Sequence, residues 1–256
     1  MAQPPSQAVR YSQGTKDIGA ARSFPWEHPV PQTPFWDELP YPLARSFLTL
    51  FDKPDTPNPT NPPPTFDDPA SSALTKPEKL NLLLVLLKER LVSKEAEVAA
   101  EQKTFYEVDY SAWDATHRSI AAIQHEQHDL DAAEETLRML IARRQGDPAN
   151  LMHQHVLAGV LLDKGQYAEA ERLEVPVRDW LDGRLGRESP QALGARRMIA
   201  RAVWMQAGRR EEGEGLMREV EGIIAGIAEG SQWGVYVEGE RELTRELWGR
   251  LKGKGS

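Results

Sequence analysis

The 256-residue chain contains no cysteine, which excludes disulfide bridges, thiolate zinc sites and cysteine nucleophiles. It also lacks a long apolar run: the longest, residues 82–87, is about a third of the ~20 residues that a membrane-spanning helix needs. Basic charge is in deficit, since the formal net charge is -8, whereas a nucleic-acid binder needs a basic face to neutralise phosphates. We therefore expect a soluble cytoplasmic protein that binds neither nucleic acid nor a membrane.

One alternative concerns the compartment. The first 23 residues carry Arg10, Lys16 and Arg22 against the single acid Asp17, together with several serine, glutamine and alanine residues. This composition is weakly typical of a mitochondrial presequence, although the stretch has no amphipathic helical pattern. Mitochondrial import is therefore the minor alternative to a cytoplasmic location.

Proline is scarce beyond residue 77, because sixteen of the nineteen prolines lie at or before that position. Proline has no N–H donor and biases the preceding residue away from the helical region, so proline-rich stretches do not hold long helices. The pattern predicts an extended or disordered arm over residues 1–74 and a helical domain over residues 75–256.

The arm is unusual in its aromatic content. Seven aromatic residues fall within 28 positions, namely Phe24, Trp26, Phe35, Trp36, Tyr41, Phe47 and Phe51. Plain linkers are poor in aromatic residues. Two interpretations stay open: residues 24–51 dock onto the protein's own helices as a covering arm, or they form a linear motif that a partner binds.

Beyond the arm, the apolar residues recur at helical spacing and no stretch shows a period of two, which predicts an all-α fold. Thr75 to Glu78 has the form of a capping box and begins the first helix, which we expect to cap the N-terminal end of the domain. A final helix near residues 235–251 is expected to cap the other end.

Three segments between the capping helices align with one another at their turns. The turn positions are His128, Gly165 and Gly208, which lie 37 and 43 residues apart, and each turn joins an apolar helix to one that opens with acidic and small residues. Self-similarity at this period is typical of helical-repeat proteins. The expected repeats span about residues 113–146, 149–186 and 190–229, and Pro176 is expected to kink or split the second helix of the middle repeat.

The middle repeat contains Ala158, Gly165, Tyr167 and Ala170, and the neighbouring repeats keep the corresponding Ala121, Ala133 and Gly208. In these residues the chain resembles the tetratricopeptide (TPR) family, in the longer variety of ~40 residues seen in kinesin light chains and many fungal regulatory proteins. The pattern is weaker outside the middle repeat, since His128 replaces a turn glycine and Gly213 replaces an alanine. The resemblance implies a short α-solenoid of about three helix-turn-helix repeats with capping helices.

The resemblance also implies a non-catalytic adaptor or scaffold that binds a peptide or helix of another protein in a concave groove. The groove residues expected from first-helix positions are Gln124, Met152, His155, Gly159, Arg197, Met198, Arg201 and Met205. The arginines among them favour an acidic or carboxylate-ended partner. An alternative is an accessory or assembly subunit of a larger complex, whose aromatic arm becomes ordered on the partner.

Catalytic and metal chemistry finds little support in the residue pattern. Five histidines lie between residues 117 and 155, but the repeat register separates His125 and His128 from His153 and His155 by about 10 Å, too far for shared ligation. Phosphate-binding loops and hydrolase motifs are absent from the sequence. We expect no cofactor and no metal, and an enzyme remains only a remote alternative.

Overall fold

The computed structural model describes residues 8–12, 27–51, 66, 68–144 and 150–253. In order along the chain, the elements are β1 (Val9–Arg10), β2 (Val30–Pro31), α1 (Tyr41–Phe51), α2 (Pro69–Ser72), α3 (Lys76–Ala99), α4 (Phe105–Val108), α5 (Tyr110–Glu126), α6 (Leu130–Arg143), α7 (Asn150–Asp163), α8 (Tyr167–Leu185), α9 (Pro190–Trp204), α10 (Arg210–Gly226), a 3-10 turn (Gly234–Tyr236) and α11 (Val237–Gly253). The all-α prediction is confirmed. No helix in the described ranges is both long and apolar enough to cross a membrane.

The chain divides into two compact units, Met1–Asp129 and Leu130–Ser256. The division falls between the two helices of the first expected repeat, so α5 belongs to the first unit and α6 to the second. The expected domain boundary at residues 74 and 75 remains a prediction.

The first unit is built around aromatic and leucine side chains from the arm. Its core contains Val30, Phe35, Trp36, Leu39, Leu43, Ala44, Phe47, Leu50 and Phe66, packed with Leu80, Leu83 and Leu87 of α3 and with Ile120 and Ile123 of α5. The rings of Phe35 and Phe66 stack with their centroids 4.2 Å apart. The interpretation in which the arm docks onto the protein's own helices is therefore the one found, for the part of the arm that is described; Phe24 and Trp26 lie outside the described residues.

The expectation of an extended arm is wrong for residues 41–51, which form the helix α1. Pro42 lies in the first turn of this helix, where its missing N–H costs nothing. The next proline is Pro54, so eleven proline-free residues follow Pro42 and allow the helix to continue. Proline density therefore misled the prediction because the position of each proline mattered more than their number.

Two cations, one buried and one half-buried, hold the arm within the first unit. Lys79 of α3 is fully buried and donates to the carbonyl of Pro34 (2.7 Å), with Glu38 at 3.1 Å. Arg10 pairs with the same region through β1, since its guanidinium donates to the carbonyls of Trp36 and Leu39, each at 2.6 Å. These bonds satisfy carbonyl groups that the irregular backbone of the arm leaves without helical partners.

The helix starts of the first unit follow the capping rules. The backbone N–H of Thr75 donates to Glu78 at 2.8 Å, which is the capping box expected at the start of α3. At the start of α5, the side chain of Asp109 accepts a hydrogen bond from the backbone N–H of Ala112 at 2.9 Å.

In the second unit, helices α6 to α11 pack in sequence order, each against the next, and α9 also contacts α7 and α11. The hairpins α7–α8 and α9–α10 turn at Gly165 and Gly208, whose φ angles are 76° and 77°. His128, after α5, has φ of 60° and so adopts the same left-handed conformation as the two glycines. Stacked helical hairpins with left-handed turn residues and a capping helix are TPR-like, as the resemblance implies.

Small residues lie where paired helices meet. Ala121, Ala133, Ala158 and Ala170 are all fully buried in their units, and Tyr167 is half-buried beside Gly165. The expectation that Pro176 would split its helix is wrong, because α8 runs without interruption from Tyr167 to Leu185. Pro176 is exposed, so its ring is accommodated on the solvent side of the helix.

Candidate protein-binding surface

The first helices of the two complete hairpins, α7 and α9, lie side by side in the second unit. Arg201 of α9 joins the two helices near the C-terminal end of α7, because its guanidinium contacts Asp163 (2.7 Å) and lies 3.5 Å from the carbonyl of Leu162. Gly159, one turn before Asp163 on α7, and Met198, one turn before Arg201 on α9, are both half-buried.

Three methionines lie on these two helices or directly after them. Met152 of α7 is 50% exposed, an unusual exposure for a large apolar side chain in this unit. Met198 of α9 and Met205, which follows α9, are half-buried. Unbranched, polarisable methionine side chains adapt to partners of different shape, and they are common at such binding surfaces.

The two arginines expected in the groove already have acidic partners within the unit. Arg197 forms an ion pair with Glu240 of α11 at 2.6 Å, and their side chains are only 11% and 8% exposed. Burial raises the pKa of the Glu240 carboxyl, and the charge of Arg197 opposes that rise. Arg197 therefore joins α9 to the capping helix, while Arg201 joins α9 to α7 at the edge of the surface.

His155 and Glu174 form a coupled pair between α7 and α8, with His155 Nδ1 2.6 Å from Glu174 Oε1. Burial raises the pKa of the Glu174 carboxyl, although His155 partly opposes it. Burial alone would lower the pKa of His155, but the hydrogen bond and charge of Glu174 outweigh it, so that the pKa of His155 is raised. The pair therefore holds together the two helices of one hairpin.

The remaining expected groove residue, Gln124, lies on α5 in the first unit, where it is half-buried. Of the expected residues in the second unit, His155 and Arg197 are taken up by their pairs with Glu174 and Glu240. We call the others, Met152, Gly159, Met198 and Met205 with Arg201 at the edge, the α7–α9 surface.

The histidines are not gathered into a metal site in the described part of the chain. His153 is buried, with Nδ1 3.4 Å from the side-chain oxygen of Asn150, and His155 is paired with Glu174. Across the described residues, no group of three or more histidine, aspartate or glutamate side chains is placed to hold a metal ion.

Three features of the structure were not predicted from the sequence: a buried lysine, an ion pair between distant helices and a basic cleft. The burial of Lys79 and the pairing of Arg197 with Glu240 depend on contacts over 45 and 43 residues, for which local patterns carry no signal. The basic cleft lies between α10 and α11. The exposed cations on α11, spaced at four and seven positions, could have indicated that cleft.

Comparisons with known proteins found similarity to solved structures alone. No family model matches the chain, and no curated protein matches it. Among solved structures, two crystal structures described as kinesin light chain TPR-like repeats from Podospora anserina, one of them a single-substitution variant, are similar to it. The variant is 21% identical, covers 70% of this chain and 87% of its own, and has a TM-score of 0.49; the other is 21% identical, with coverages of 70% and 88% and a TM-score of 0.48. The TPR-like fold of this chain is shown by its own helices, their turns and their packing.

Proposed function

We propose that the protein is a non-catalytic adaptor that binds a peptide or helix of another protein on the α7–α9 surface. The observation that supports this most directly is the 50% exposure of Met152 on α7, together with half-buried Met198 on the neighbouring helix α9. Parallel neighbouring helices with an apolar strip between them suit the insertion of apolar side chains from a partner helix. Arg201 at the edge of this strip is already paired with Asp163, so we expect the contacts with the partner to be mainly apolar.

The burial of the arm's aromatic side chains argues against the alternative, in which the arm of an assembly subunit becomes ordered on a partner. Phe35, Trp36 and Phe47 are buried in the core of the first unit, so these rings are not available to a partner in the folded chain. Removal of residues 1–74 would therefore expose the apolar faces of α3 and α5 and disrupt the first unit.

The test uses peptides selected by display on the full-length chain, with affinities then measured by fluorescence anisotropy. A double variant, M152E/M198E, places two carboxylates in the apolar strip, and we expect it to weaken the selected peptides by about 10-fold or more, equivalent to about 1.4 kcal/mol. The control is V92E, a charge introduced at an exposed valine of α3 in the first unit.

We expect V92E to change the affinity by less than about 2-fold. Selected peptides that bind M152E/M198E as tightly as the wild type would show that the α7–α9 surface is not the binding site. Circular dichroism of each variant shows whether the helical fold is retained.

A further inference from the structure

A second surface lies in the cleft between α10 and α11, which has a volume of about 620 Å³. Its apolar part is formed by Ile224 and Ala225 of α10 and by the indole of Trp248 of α11. Trp248 is held in place on two sides: its Nε1–H donates to Glu221 at 2.8 Å, and its ring meets Trp204 edge-on at a centroid distance of 5.5 Å. The cleft therefore has a positioned apolar floor between two helices.

The cations around this cleft differ from those within the helical array. Between neighbouring helices of the array, arginines reach acids at short distances: Arg196 to Asp182 at 2.5 Å, Arg209 to Glu171 at 2.5 Å and Arg201 to Asp163 at 2.7 Å. Those side chains are neutralised inside the unit, and they offer little net charge to a partner.

The four cations that line the cleft are Arg218, Arg241, Arg245 and Lys252. Among the residues that the structure describes, the acids paired with Arg218 and Arg241 lie on their own helices, at 3.9 Å and 3.6 Å, and the two arginines are 63% and 52% exposed. Within the described ranges Arg245 makes no ion pair, and Lys252 lies over the Trp248 ring at 4.4 Å.

Among the described residues, two acids line the same cleft, and both already contact other side chains of the protein. Glu221 accepts from Trp248, and Glu214 lies 3.9 Å from each of Arg210 and Arg218. A chain with a net charge of -8 thus presents a locally basic cleft with an aromatic floor. Such a potential attracts acidic partners and repels basic ones.

We propose that this cleft binds an acidic amphipathic helix of another protein, separately from the α7–α9 surface. Helix α9 packs against both α8 and α7, and α11 packs against both α10 and α9. The groove between α10 and α11 offers a similar site to a helix from outside. Apolar side chains of the bound helix would contact Trp248 and Ala225, and its flanking carboxylates would meet Arg241 and Arg245.

The test uses a synthetic, fluorescently labelled helical peptide of about 18 residues, long enough to cover the length of α11. It has leucine at helical spacing on one face and glutamate elsewhere, and a matched peptide carries lysine in place of glutamate. Binding to the full chain is measured by anisotropy for the wild type and for R241E/R245E. The control R172E/R184E makes the same change of charge at two exposed arginines of α8.

We expect the acidic peptide to bind the wild type, R241E/R245E to weaken it by about 10-fold or more, and R172E/R184E to change it by less than about 3-fold. Binding should also weaken with added salt. In NMR spectra, the indole N–H signal of Trp248 should shift on addition of the acidic peptide to the wild type, which reports the cleft directly. M152E/M198E should retain this binding, which separates failure of this proposal from failure of the α7–α9 surface.

Four outcomes would overturn the proposal. The lysine peptide could bind as tightly as the acidic one, or R241E/R245E could bind the acidic peptide as well as the wild type does. Phosphatidylserine vesicles could bind through these arginines while the acidic peptide does not. Light scattering could show a dimer that R241E/R245E abolishes, which would assign the cleft to a second copy of the chain.

Discussion

Replacement of Gly213 by alanine tests how closely two helices of the array approach. Alanine is the residue that the TPR pattern places at this position, and alanine also favours helix formation more than glycine does. In the structure, however, a Cβ atom on Gly213 would lie 2.8 Å from the N, Cα and Cβ atoms of Trp204. Three such contacts with the backbone and Cβ of α9 cannot be relieved by rotating a side chain, so α9 and α10 would have to separate.

Two opposing effects set the size of the change. Substitution of glycine by alanine inside a helix ordinarily stabilises a protein by about 0.5–1 kcal/mol. Forcing extra volume into a close-packed contact costs about 1–3 kcal/mol. Since the contact here is with the backbone, we expect the cost to exceed the gain and Gly213→Ala to lower the free energy of unfolding by about 1–2 kcal/mol.

The measurement is urea unfolding followed by far-UV circular dichroism, with Gly215→Ala as the matched control. Gly215 lies in the same helix, and a Cβ atom there meets nothing within 4 Å. The control should therefore be stabilised by about 0.5–1 kcal/mol. If Gly213→Ala were stabilised as much as Gly215→Ala, the proposed close contact between α9 and α10 would be refuted.

Three further predictions concern single positions. Lys79→Met should lower the free energy of unfolding by about 1–3 kcal/mol, because it leaves the carbonyl of Pro34 without a donor, whereas Lys88→Met on the exposed side of α3 should change it by less than about 0.5 kcal/mol in urea unfolding. His128→Gly should raise the midpoint of thermal unfolding, because glycine adopts the left-handed conformation without the cost of about 1 kcal/mol that a side chain incurs; a lower midpoint would contradict this. The raised pKa of His155 gives stability that is complete below its ordinary value of 6.5 and lost as the pH rises through the raised pKa. The stability advantage of the wild type over Glu174→Gln should therefore shrink as the pH rises above 6.5, and an advantage that grows would refute the link between the two groups.

Much of the helical array could be predicted because its signals are local. Helix starts follow capping residues such as Thr75, and the turns at Gly165 and Gly208 need a left-handed conformation that glycine adopts at low cost. The turns could be aligned even though His128 stands in place of a turn glycine. In the structure, His128 has the same left-handed backbone conformation as Gly165 and Gly208. The candidate surface was less accessible to prediction, since Arg197 was expected in the groove but is neutralised by Glu240, which lies 43 residues away.

By itself, the sequence determined the helices, their turns and their grouping into hairpins, because periodicity, capping and backbone freedom act over a few residues. Only the tertiary structure decided which side chains are used up in internal contacts and which remain for a partner. The aromatic residues of the arm became a core because α3 and α5 present matching apolar faces. Arg241 and Arg245 remain exposed, and in the described part of the chain neither pairs with an acid of a neighbouring helix. Such pairings depend on how distant segments pack in space.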